Sequence, residues 1–268
     1  MQSLILMNAI QRNNVTVKGK GTSAMLFVHG FGCDQNMWRF ITPAFEDHYK
    51  VILMDHVGAG NSDLSAYTSE QYSQLEGYAS DVIEVCKELK IDDVIFVGHS
   101  VSSMIGAIAS LQAPGLFKSL IMIGPSPSYI NDGEYVGGFT KEQITELMDS
   151  LDNNHLGWSM AMAPIIMGNP ERGELAAELS NSFCRTNPDI AREFARTTFF
   201  SDKREVLPQV TTPTLILQCS DDVIAPEEVG IYVHENIKDS KLVIMEATGH
   251  CPNLSAPDET IAIMKAYL

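Results

Sequence analysis

The stretch Val94-Ile95-Phe96-Val97-Gly98-His99-Ser100-Val101-Ser102-Ser103-Met104-Ile105-Gly106-Ala107 constrains the fold more than any other part of the chain. Its first four residues are apolar and rich in β-branching, the pattern of a central strand buried on both faces. The run breaks at Gly98, and apolar residues at helical spacing (Met104, Ile105, Ile108) resume just past Ser100. A strand that turns into a helix around one serine presents that serine at a sharp, strained apex. Such a turn needs small residues two positions before and two positions after. Gly98 meets the first need, and Ser102 stands where glycine is usual. A serine that only caps a helix would fit the same pattern, so the rest of the chain has to decide.

The chain has 268 residues, a length at which an α/β fold often forms one domain. Polar and apolar residues roughly alternate from Met7 to Lys18 around Asn13-Asn14, which predicts a hairpin. Met25–Val28 reads as a buried strand followed by the glycine-rich loop His29-Gly30-Phe31-Gly32. Residues 36–45 look helical, 51–54 form the next strand, and 74–90 carry the apolar spacing of an amphipathic helix. After the apex, 120–123 is a further strand. Strands alternating with helices through short loops predict a mostly parallel central sheet with helices on both faces.

The alternation stops at Pro125. Between residues 125 and 202 no strand is convincing, and helices are expected near 140–153, 155–167, 172–186 and 188–199. This gives a core of residues 1–124 and 203–268 with a helical lid of residues 125–202 inserted between two strands. A lid in that place lies over the carboxyl edge of the sheet, where ligands bind in such folds. The aromatics Phe139, Trp158, Phe199 and Phe200 are candidates to line a pocket beneath it. The sheet resumes at 214–219, a helix follows from Glu227, residues 241–245 are the last strand, and a helix from Pro257 closes the chain.

Three residue types now converge. Ser100 at the apex, an acidic pair Asp221-Asp222 after the 214–219 strand, and His250 after the last strand all lie at carboxyl ends of strands. Their order, Ser then Asp then His, is that of an α/β-hydrolase. Serine is a weak nucleophile until a base takes its proton, histidine is the side chain whose unperturbed pKa suits that task near neutrality, and a carboxylate fixes the imidazole tautomer. Successive residues point in different directions, so only one of Asp221 and Asp222 can serve. The developing oxyanion needs waiting N–H groups. Val101, which follows the nucleophile, and Phe31, in the glycine-rich loop, are the candidates. His29 and His99 flank this region as loop-positioning residues, while His48, His56, His155 and His234 read as ordinary surface or lid histidines. No histidine pair has metal-ligand spacing with acidic partners, so neither a metal nor another cofactor is expected.

Composition narrows the partners. The formal charge of −16 argues against nucleic acid and anionic membranes. Five scattered cysteines without a Cys-x-x-Cys suit free thiols in a reducing cytoplasm. The only apolar run at the N-terminus is Leu4–Met7, with no basic segment before it, so no signal or membrane span is expected.

The segments His29-Gly30-Phe31-Gly32-Cys33-Asp34-Gln35, Gly98-His99-Ser100-Val101, Gly124-Pro125-Ser126-Pro127, Leu217-Gln218-Cys219-Ser220-Asp221-Asp222 and Gly249-His250-Cys251-Pro252 closely resemble the RsbQ-like α/β-hydrolases of sigma-B energy-stress regulation. The likeness runs from about Met7 to the C-terminus and includes Gly157-Trp158 and Phe199-Phe200-Ser201-Asp202 in the lid. The same subfamily includes the plant strigolactone and karrikin receptors. The resemblance implies a Ser100-His250-Asp222 triad, with Asp222 rather than Asp221 as the acid, a V-shaped four-helix lid and a small apolar pocket. It implies a carboxylic-ester hydrolase acting on a small hydrophobic ester or lactone, of the butenolide type in the plant proteins. It also implies a regulatory partner, a PAS-containing serine phosphatase (RsbP-like). A ligand receptor with slow incidental hydrolysis and a C–C bond hydrolase are the alternative readings. Ser102 departs from the pattern.

Overall fold

The computed structural model describes residues 8–268. In chain order the elements are α1 (Ala9–Arg12), β1 (Thr16–Lys18), β2 (Ser23–Val28), β3 (Tyr49–Met54), α2 (Ser69–Tyr72), α3 (Leu75–Leu89), β4 (Val94–His99), α4 (Val101–Gln112) and β5 (Phe117–Ile123). Four helices then run without a strand between them: α5 (Lys141–Asn153), α6 (His155–Met167), α7 (Gly173–Arg185) and α8 (Pro188–Phe199). The chain closes with β6 (Thr214–Asp221), α9 (Glu227–Asn236), β7 (Ser240–Thr248), α10 (Pro252–Ser255) and α11 (Pro257–Tyr267).

The strands form one sheet in the order β1-β3-β2-β4-β5-β6-β7. Among the described strands only the β1–β3 pair is antiparallel, and every other neighbour pair is parallel. The period-2 geometry of a strand divides the core into two layers. Met25, Phe27, Ile95, Val97, Ile121 and Leu217 face one side, where Trp38, Phe45 and the lid helices pack. Leu26, Val28, Phe96, Leu120, Met122 and Ile216 face the other, against α3 and α4. Burial on both faces is why the segments 25–28, 94–97 and 120–123 within β2, β4 and β5 read as unbroken apolar runs.

Two expectations about the secondary-structure elements differ from the structure. The segment taken as a hairpin opens with a helical turn, α1, capped by Asn8, whose Oδ1 accepts the Gln11 N–H. Only Thr16–Lys18 is extended, and it pairs with β3 rather than with its own upstream residues. The Leu4–Met7 run lies outside the described residues. The stretch 36–45 is two 3₁₀ turns, Gln35–Trp38 and Thr42–Ala44, with Pro43 interrupting regular helix hydrogen bonding between them.

Candidate active site

Strand β4 delivers Ser100 to the carboxyl edge of the sheet, and α4 begins at the next residue. Ser100 has φ 57° and ψ −126°, a conformation that side-chain-bearing residues rarely adopt. The surroundings hold it there: the Ser100 N–H donates to the Ile123 carbonyl of β5 at 2.8 Å, and its own carbonyl accepts the Ser103 N–H at 2.9 Å. A Cβ on Gly98 would lie 2.6 Å from the Ser102 carbonyl, which is why the residue two before the apex has no side chain.

The Ser100 Oγ lies 2.8 Å from His250 Nε2. On the other side of the ring, His250 Nδ1 is 2.7 Å from Asp222 Oδ2. The remaining oxygen of Asp222 accepts the N–H groups of Ile224 at 2.9 Å and Ala225 at 3.1 Å. The carboxylate is therefore fixed in position and directs Nδ1–H toward itself, leaving Nε2 to accept from serine. Asp221 takes a different direction: its side chain is exposed at the end of β6, and its carbonyl accepts the Gly249 N–H. All three members of the chain are buried, at 6% exposure for Ser100, 4% for His250 and 5% for Asp222.

The glycine-rich loop after β2 runs against this apex. A Cβ on Gly30 would meet His99 Nδ1 at 2.6 Å and Ser100 Cβ at 3.2 Å, so only glycine allows so close an approach. The Phe31 N–H has no hydrogen-bond partner among the described residues, and the Val101 N–H is the first of α4, where helix donors lack intrahelical acceptors. His99 Nε2 is 2.7 Å from the His250 carbonyl. Burial, and then the neighbouring His250, push the His99 pKa down to about 3, so it is a neutral donor that steadies the His250 backbone.

A small cavity of about 30 Å³ adjoins Ser100 and His250. Its walls include Phe31, Tyr129, Phe183, Thr198 and Phe199. The Tyr129 hydroxyl and Thr198 Oγ1 are buried without a protein partner. Two cysteines, Cys33 and Cys251, also border it; burial pushes the Cys33 thiol up to about 12 and Cys251 well above its ordinary value, so both are neutral, unreactive wall. Among the described residues, no cluster of three histidine, cysteine, aspartate or glutamate side chains is placed to hold a metal ion.

Of the four aromatics expected at the pocket, only Phe199 borders it. Phe200 is one residue further round the end of α8 and is 38% exposed. Phe139 is held in the loop before α5, where its N–H donates to the Tyr129 carbonyl and its ring packs on the core; Tyr129 takes the place facing the cavity. Trp158 stands behind the wall, edge-on to Phe31 and tilted against Phe183. Phe183 and Tyr129 line the cavity in their place, and the sequence signal for Tyr129 is its place in the loop that follows the carboxyl end of β5. His56 also needs correction. It is fully buried at the end of β3, bonded to His29 and Ser102, rather than on the surface or in the lid.

Residues 25–263 match the alpha/beta hydrolase family. The chain is 38% identical over 259 residues to Karrikin insensitive 2 receptor CA of Petunia hybrida, covering 96% of each protein. It is 36% identical over 262 residues to Strigolactone esterase D14 of Arabidopsis thaliana, covering 97% of this chain and 98% of that one. A solved hydrolase from Oleispira antarctica superposes with a TM-score of 0.94 at 43% identity, over 97% of this chain and 95% of the other. Likeness of this degree extends over nearly the full length of each pair, apex, lid and sheet together, and the chain belongs to the alpha/beta hydrolase family.

Proposed function

We propose that this protein is a serine esterase that cleaves a small apolar ester or lactone through an acyl-enzyme. One observation carries the reading: the unbroken hydrogen-bond chain from Ser100 Oγ through both nitrogens of His250 to Asp222. In the proposed cycle, His250 Nε2 takes the Ser100 proton as Oγ attacks the carbonyl carbon, and the Phe31 and Val101 N–H groups receive the oxyanion. The imidazolium, held by Asp222, then protonates the leaving alkoxide. A water attacks the acyl-Ser100 carbonyl with His250 again as base, the imidazolium returns that proton to Ser100 Oγ as the acyl bond breaks, and the acid departs. With a lactone the freed alcohol stays on the acyl chain throughout, and a single hydroxy acid leaves after the second step.

The cavity sets the substrate class. Its volume of about 30 Å³ is far below the ~300 Å³ at which drug-sized pockets begin. A short acyl group fits against Ser100, and anything larger requires the lid to move. The test is hydrolysis of p-nitrophenyl acetate by the native protein and by Ser100→Ala, with intact-mass detection of an acylated Ser100. A fall on the order of 10⁴ in kcat with the fold retained is expected. A folded Ser100→Ala protein keeping a tenth of the activity would refute the reading.

A receptor role is the second reading. It is favoured by relatives named as karrikin receptors, together with the small size of the cavity. Burst kinetics separate the two: an enzyme turns over many equivalents, whereas a receptor stalls after one. The PAS-containing serine phosphatase enters through the motif resemblance alone. Its test is a sigma-B-type reporter in cells carrying Ser100→Ala at matched abundance, and full signalling by that variant would make hydrolysis dispensable. All five cysteines are unbridged, in keeping with a reducing cytoplasm. No helix among the described residues is long and apolar enough to cross a membrane.

A further inference from the structure

The residue that departs from the usual pattern at the apex is tied into a buried network. Ser102, fully buried on the first turn of α4, donates its hydroxyl proton to the His29 carbonyl at the end of β2. His56 Nε2, from the end of β3, lies 2.8 Å from the same hydroxyl and 3.1 Å from the same carbonyl. The His56 backbone N–H donates to His29 Nε2 at 3.1 Å, and His29 Nδ1 is 2.8 Å from the Gly30 carbonyl. These contacts determine both tautomers. His29 carries its proton on Nδ1, because Nε2 accepts. His56 carries its proton on Nε2, because the His29 carbonyl can only accept, while its Nδ1 has no partner. Burial, followed by the neighbouring His29, pushes the His56 pKa well below its ordinary value, so the ring is neutral.

We infer that Ser102 and His56 are positioning residues that set the width of the oxyanion hole. The two candidate donors belong to different elements: Val101 opens α4, and Phe31 sits in the loop after β2. Ser102 follows Val101 directly, and His29 lies two residues before Phe31. A single hydroxyl therefore ties the element carrying one donor to the element carrying the other, and His56 braces the joint from β3. Neither side chain touches the cavity. The inference rests on the esterase reading, since a hole of defined width matters only if charge develops there.

Removing an oxyanion donor outright costs roughly 10² to 10³ in kcat. Loosening a hole whose donors both remain should cost less, about tenfold. The experiment compares native protein, Ser102→Ala, His56→Ala and His56→Gln, the last of which keeps an N–H donor near the position of Nε2. Two readouts are taken: kcat and KM for p-nitrophenyl acetate, and the affinity of phenylboronic acid, whose tetrahedral Ser100 adduct places an oxygen in the hole. Ser102→Ala and His56→Ala should each lose about tenfold in kcat and about tenfold in boronate affinity with KM within twofold, and His56→Gln should recover most of what His56→Ala loses. A purely structural serine would lower the melting temperature and leave kcat and boronate affinity of the folded protein unchanged, which would overturn the inference. A loss confined to KM would overturn it too. Should Ser102→Ala fail to fold, Ser102→Cys, close in volume but a weak donor, carries the same measurements with the same expectations. Native protein that neither binds the boronate through Ser100 nor hydrolyses the ester would overturn the esterase reading itself, and the inference with it.

Discussion

Asp221 and Asp222 are neighbours in sequence and have different surroundings. Asp221 still belongs to β6 and pairs with Thr248, so its carboxylate points to solvent. Asp222 is the first residue past the strand, and there the chain turns so that two backbone N–H groups grip one oxygen while the other meets His250. Asp222→Asn should therefore lower kcat on the order of 10⁴, because an amide offers His250 Nδ1 the wrong partner and favours the wrong tautomer. Asp221→Asn should stay within a few-fold. Steady-state kinetics on the two variants decide the matter, and the reverse ranking would reassign the acid. At this scale the sequence is legible where a residue stands at a strand end and its chemical type is informative. Ser100 and His250 meet both conditions. Ser102 and His56 do not, because their pairing depends on how three separate strands are ordered in the sheet, which no local pattern records.

Among the elements, the four lid helices lie within about two residues of where their patterns place them, since Gly168-Asn169-Pro170 and Asn187-Pro188 punctuate them and Thr140, Asn154 and Asn187 cap them. The N-terminal helical turn was not legible. Four residues make too short a window for periodicity, and α1 is stabilised by contacts with distant partners such as Arg12 with Glu84. What the lid helices face was not legible either, because adjacent residues on a helix differ by about 100° in direction and only packing says which looks inward. The structure shows that three lid helices converge on one ring. Phe31 is surrounded by Trp158 of α6, Phe183 of α7, and Phe194 and Phe199 of α8, with centroids 5.6 to 6.2 Å away. Phe183 both borders the cavity and packs on Phe31, so it couples pocket size to the loop. Phe183→Leu should enlarge the space at a cost of about 1 to 2 kcal/mol in stability. It should also raise the ratio of kcat/KM for p-nitrophenyl butyrate over acetate by several-fold. An unchanged ratio would mean that longer acyl chains enter by another side of the cavity.

For the molecule as a whole, the joint between α1, α2, α3 and the lid rests on one buried carboxylate. Asp81 is fully buried, pairs with Arg12 at 2.9 Å, and accepts hydrogen bonds from the Tyr72 hydroxyl at 2.9 Å and Asn13 Nδ2 at 3.4 Å. Tyr72 continues the connection: its carbonyl accepts from Thr197 of α8, and its ring packs on Tyr78, which stacks on Phe194. Burial raises the Asp81 pKa from 3.8 to about 6, against the opposing effects of Arg12 and the hydrogen bonds. The sign follows from proton binding. Between pH 4 and 6 the folded protein holds a proton on Asp81 that the unfolded chain has released, so this group's contribution to stability is greatest below pH 4 and falls as pH rises toward 6. The loss is on the order of 1 to 3 kcal/mol and is complete above that window. Other carboxylates titrate over the same range, so the measurement must be a difference. Melting temperatures of native protein and Asp81→Asn, taken from pH 4 to 7, should show native protein losing ground to the variant as pH rises to 6 and a constant gap beyond. A native protein that gains on Asp81→Asn over that range would show that the Arg12 pair outweighs burial. The carboxylate would then be stabilised in its charged form, and the joint would weaken in acid instead.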